Sequence, residues 1–128
     1  MLNVSSENVC RLVYLAREFH AQEQVSIPED PDNPSGDWAV QILASHAEDE
    51  SFQVFKAIVE DLEPDQQQEV VALLWLGRGD YSKEEWRDAL QLAADSWNTR
   101  TAEYLIAHPL LADYLEQGLE LFDLRCEE

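Results

Sequence analysis

The stretch Val70–Leu76, VVALLWL, constrains the fold of this chain more than any other. About two helical turns of uninterrupted apolar side chains leave no polar face for solvent, so other elements must surround the segment. It is far short of the roughly 20 residues that span a bilayer, which argues against a transmembrane helix. Glu63, Pro64 and Asp65 precede it, and proline suits a helix's first turn, where its missing N–H is not needed. Gly77 and Gly79 predict its end, because glycine takes the left-handed cap conformation without a side-chain clash. The expected element is a central, buried helix.

The remaining sequence supplies amphipathic helices to cover it. Val9, Leu12, Val13, Ala16, Phe19 and His20 keep the rhythm of one helical face, with Ser5 or Ser6 as N-cap. Asp37 caps a second predicted helix carrying Trp38 and Ile42, which the polar AEDES segment interrupts near Asp49. Phe52, Phe55, Ile58, Val59 and Leu62 form another stripe. Ser82 with Glu85 reads as a capping box, opening a helix with Trp86, Ala89, Leu90, Ala93 and Trp97 on its inward face. Asn98 or Thr99 restarts a short helix through Ile106. Pro109 closes it and begins the last helix, on which Leu111, Tyr114, Leu115, Gly118, Leu119 and Phe122 align. Pro28, Pro31, Pro34 and Gly36 make residues 25–36 a surface loop, and residues 124–128 read as a fraying acidic tail. Strand signals are nearly absent. The predicted architecture is all-α: residues 1–128 as one compact bundle of about six or seven short helices.

Charge bounds the partners. Against 27 acidic residues stand 8 basic ones, a formal net charge of −19. Such a surface cannot assemble the cationic face that nucleic-acid phosphates or anionic lipids require, so neither is an expected partner. It does suit a basic protein, attracted at long range, or an imitation of a phosphate backbone; the plain alternative is solubility. Self-association is left open. The opening MLNVSSENVCRLV lacks a basic leader followed by an apolar run, so the expected compartment is the cytoplasm.

Chemical motifs are sparse. Cys10 and Cys126 show no metal-site or redox spacing; Cys10 reads as a small buried hydrophobe and Cys126 as part of the tail, beside Glu127 and Glu128, which would raise its thiol pKa. His46 and Glu50 have ligand spacing on a helix with Glu48 between them, but no third ligand is evident. The EDPDNPSGD segment fails the twelve-residue calcium pattern. No metal or cofactor is expected. His20 reads as the edge of a helical face and His108, before Pro109, as a helix-end cap. Nothing resembles a nucleophile elbow or a phosphate-binding glycine loop, so the reading leans against an enzyme.

Two features stand out as candidate sites. Gly77, Arg78, Gly79 and Asp80 form a loop whose arginine is the only cation between Lys56 and Lys83. Its planar fork suits either a structural tie between a carboxylate and helix-end carbonyls or contact with an anionic ligand in a pocket. Tyr14 falls off the inward stripe of its helix and is a candidate interaction surface.

LWLGRGD at Leu74–Asp80, EEW at Glu84–Trp86, TAEYL from Thr101 and HPLLADYLEQGL through Leu119 together resemble a bacterial domain-of-unknown-function family, the one numbered 3775. LAREF at Leu15–Phe19 is similar to that family's first helix. The resemblance implies a small helical protein with no assigned activity, cofactor or partner, so it transfers no functional residue. The combined reading is an acidic interaction or regulatory module, with a small-ligand binder or small enzyme near Arg78 as the alternative.

Overall fold

In the computed structural model, residues 2–21 and 50–126 are described. The expected loop at residues 25–36, the helix bearing Trp38 and Ile42, and His46 and Glu48 lie outside them. The described residues contain six α-helices and no strand: α1 (Ser6–Ala21), α2 (Glu50–Asp61), α3 (Pro64–Arg78), α4 (Trp86–Ser96), α5 (Thr101–Ile106) and α6 (Leu111–Glu120). No described helix is long and apolar enough to cross a membrane.

Local chemistry accounts for the boundaries. Ser5 Oγ accepts the Asn8 N–H at 3.1 Å, so the first turn of α1 begins with a satisfied donor. At the start of α3, Pro64 follows Glu63, whose N–H donates to Gln66 Oε1 at 2.9 Å. Gly79, at φ 95°, ends α3 and turns its N–H back to the Trp75 and Leu76 carbonyls at 3.1 Å. The Ser82–Glu85 capping box forms, with the Ser82 N–H donating to Glu85 Oε1 at 2.9 Å; it opens a single 3₁₀ turn, Lys83–Glu85, before α4 proper. The next helix starts later than the sequence suggests. Asn98 accepts the Arg100 N–H on Oδ1 at 2.7 Å, shaping a side-chain turn that delays α5 to Thr101.

α3 is the hub, with Val70–Leu76 buried throughout; it packs on α6 and α4, while α1 lies against α2 and α6. All these helices share one hydrophobic core. The crossing of α3 and α6 is unusually close. A Cβ on Gly77 would run into the Tyr114 backbone carbonyl, and one on Gly118 would come within 2.5 Å of the Leu73 carbonyl. Each helix thus offers a glycine to the other's backbone. Before the N-terminus of α1, the Asn3 and Val4 N–H groups donate to the buried Glu69 carboxylate at 2.8–3.0 Å, tying the leading segment to α3.

Three expectations need correcting. Cys10 is buried as predicted, but it is no free thiol: it is bonded to Cys126, with the Cα atoms 5.4 Å apart. The supposed fraying tail is consequently anchored through Cys126, with Phe122, Leu124 and Cys126 packed on the core. Trp97, placed on the inward stripe, is 37% exposed. It follows the last residue of α4 with extended backbone (φ −59°, ψ 139°), so helical spacing no longer sets its direction.

Candidate functional site

Arg78 is the last residue of α3, and its side chain is mostly buried. Nε and Nη2 donate to Asp80 Oδ2 at 2.9 and 2.6 Å, and Nη1 lies 3.0 Å from His108 Nε2. His108 is fully buried. Its Nδ1 sits 3.0 Å from the Tyr104 carbonyl and 3.3 Å from that of Leu105, both acceptors, so Nδ1 carries the proton and Nε2 offers its lone pair to Arg78. The imidazole thus caps the C-terminal carbonyls of α5 and links them to the guanidinium. Trp75 Nε1 donates to the Tyr104 hydroxyl at 2.9 Å. Burial pushes the Tyr104 pKa up, opposed by the Trp75 hydrogen bond and the charge of Arg78. The Tyr81 ring stacks obliquely on Trp75, 6.1 Å between centroids.

This network brings Arg78 and Asp80 together as the sequence grouped them, and adds Trp75, Tyr104 and His108, which it did not. His108 lies 30 positions from Arg78 and meets it only because α3 and α5 converge. Gly77 and Gly79 serve separate purposes, one at the α6 crossing and one at the cap. Chemically, a guanidinium held by a carboxylate and an imidazole locks a helix junction.

Tyr14 is 39% exposed on α1. It borders a hollow of about 480 Å³ shared with Glu7, Cys10, Arg11 and Arg125, so its surroundings combine two guanidiniums and one half of the disulfide. Glu50, the remaining member of the His46 cluster, is an exposed first residue of α2. Among the described residues no group of three or more His, Cys, Asp or Glu side chains could hold a metal ion.

A second hollow, of about 430 Å³, lies where α2 ends, α3 begins and Trp97 closes the side. Trp97 Nε1 donates to Gln67 Oε1 at 2.8 Å, and Gln67 Nε2 donates to the Val59 and Leu62 carbonyls at 3.0 and 3.1 Å. Buried Gln67 therefore fixes both the end of α2 and the indole. Glu60, Asp61 and Glu63 stand around the rim. Sequence reasoning missed this hollow because it assigned Trp97 to the core.

Fold and sites define a small, acidic, α-helical domain with one core and a buried polar junction. The chain belongs to the family described as "Protein of unknown function (DUF3775)", whose model matches residues 53–124. That match takes in the Arg78 junction and the Trp97 hollow; Tyr14 and both cysteines fall outside it. No curated protein and no solved structure matches the chain.

Proposed function

We propose that this domain is a non-catalytic interaction module for a basic protein partner. The observation that carries the reading is the acidic excess, a formal −19, together with its placement. Among the described residues Arg17 pairs with Asp113 and Glu116, Lys56 with Glu103 and Arg78 with Asp80, so at least three of the eight cations already have carboxylate partners. Exposed carboxylates such as Glu60, Asp61, Asp65, Glu84, Asp88 and Glu120 make no ion pair among the described residues. A field of one sign steers and orients an oppositely charged partner, and it is screened within about 10 Å at 0.1 M salt. The test is affinity capture from native extract of the source cells at low ionic strength, followed by a salt series. Captured proteins should be basic and should release progressively between about 0.05 and 0.5 M salt. Salt-insensitive capture, or no specific capture, counts against the proposal. An anionic ligand at Arg78, the alternative, would compete with Asp80 and His108 for the guanidinium.

A further inference from the structure

We infer that the hollow between the end of α2 and Trp97 receives a lysine or arginine side chain from a basic protein segment. The inference rests on the interaction reading above and assigns it a place and a chemistry.

Four observations converge there. The first is electrostatic. α2 ends in Glu60 and Asp61, with no basic residue in its last turn, although a helix C-terminus already carries about half a negative charge. Carboxylates in that position oppose the helix dipole, and neither side chain has an ion-pair partner among the described residues. A cation docked there would relieve both effects. The second is the sign of the side chains: Glu63, the N-cap of α3, stands on the same rim, and among the described residues no lysine or arginine lines the hollow.

The third is the aromatic wall. Trp97 is 37% exposed, and its ring is fixed through Nε1 to Gln67, which is itself anchored by two backbone carbonyls. Indole offers cations the most favourable aromatic face, and a ring already held in place loses little freedom when one arrives. The fourth is size. About 430 Å³ falls within the ~300–1,000 Å³ typical of small-ligand sites, enough for one long side chain but too small for a folded element. Thr101, also on the lining, is satisfied by donating to the Asn98 carbonyl at 3.0 Å, so the floor needs no polar ligand of its own. Charge complementarity therefore selects the occupant: an aliphatic stem passing the indole, with a cationic head among Glu60, Asp61 and the α2 carbonyls.

The experiment uses the full chain, labelled with nitrogen-15, and an acetylated, amidated tetralysine or tetra-arginine peptide at low salt. The Trp97 indole N–H resonance, assigned with Trp97→Phe, should shift saturably with either peptide and stay still with Nε-acetylated tetralysine. Glu60→Gln with Asp61→Asn should weaken binding about fivefold or more, and Trp97→Leu by a similar factor. Glu84→Gln with Asp88→Asn removes the same charge near the opposite end of α4 and should weaken binding less than about twofold. Because loss of the Gln67 hydrogen bond can loosen the fold, the carboxylate pair carries the decision if Trp97→Leu melts early. Saturable binding with an unmoved Trp97 resonance, or equal weakening by both charge pairs, overturns the hollow while leaving the interaction module standing. Absence of peptide binding overturns the hollow as well, and the module is then judged on the extract capture alone.

Discussion

Replacing Gly77 by alanine sets two physical effects of opposite sign against each other. Inside a helix, alanine is favoured over glycine by about 1 kcal/mol, so Gly77→Ala should stabilise α3 considered alone. The new methyl, however, would occupy the space of the Tyr114 carbonyl, and it faces rigid backbone rather than the end of a movable side chain. Relief requires α3 and α6 to separate, which also loosens Leu73 against Gly118, the other half of the crossing. Overpacking of this kind costs about 1–3 kcal/mol even where side chains can adjust; with backbone on the far side, the upper end applies. The expected net loss is about 2 kcal/mol or more, a fall in Tm on the order of 8 °C for a domain of this length. Thermal and urea unfolding of Gly77→Ala measure it, with Gly79→Ala as the contrast. At Gly79 a Cβ would meet nothing within 4 Å, and the cost there comes only from the positive φ, about 1–2 kcal/mol. A Gly77→Ala protein as stable as the wild type would refute the close-crossing argument.

Reducing the Cys10–Cys126 bond, which spans 116 positions, should lower stability by about 2–5 kcal/mol, and melting with and without a dithiol reductant reads this directly; a reductant-insensitive Tm in a protein with no free thiol would contradict it. Arg78→Lys should cost about 1–3 kcal/mol, since one ammonium cannot replace the fork that holds Asp80 and His108; an unchanged Tm without ligand, together with lost binding of an anionic metabolite, would favour the ligand alternative. His20 Nε2 lies 2.8 Å from the Ile106 carbonyl, and burial lowers its pKa below 6.5 despite backbone hydrogen bonds that pull it upward. The fold thus favours neutral His20, a stabilisation present above about pH 6.5 and lost as pH falls towards the depressed value. Wild type should therefore lose more stability than His20→Gln between about pH 7 and 5, as followed by urea unfolding; parallel losses would refute it.

The helical layout was legible because its signals are local. Pro64 at a first turn, Ser82 with Glu85, and Gly79 at a left-handed cap act on their own neighbours, so the chain states them without reference to the fold. The apolar run Val70–Leu76 likewise demanded the centre. What stayed hidden depends on pairing at a distance. Spacing put Cys10 on an inward face but named no partner 116 positions away. Gly77 looked like a terminator alongside Gly79, whereas its reason is a carbonyl on α6. His108 was legible as a helix-end cap, but its contact with Arg78 was not. Trp97 was misplaced because it sits one residue past the end of α4, where the repeat of 3.6 stops applying.

The bond between Cys10 and Cys126 turns the polypeptide from a line into a ring. Any path from α1 to the closing segment now exists twice, once along the backbone through every helix and once across two sulfurs. Pulling on the chain outside these residues would therefore load the sulfur bridge and leave the helices between them unstretched. The chain passing Cys10 and the chain passing Cys126 are held side by side there, their Cα atoms 5.4 Å apart. A reporter placed on each side would stay close together for as long as the ring is closed, even when heat or urea has unfolded everything inside it.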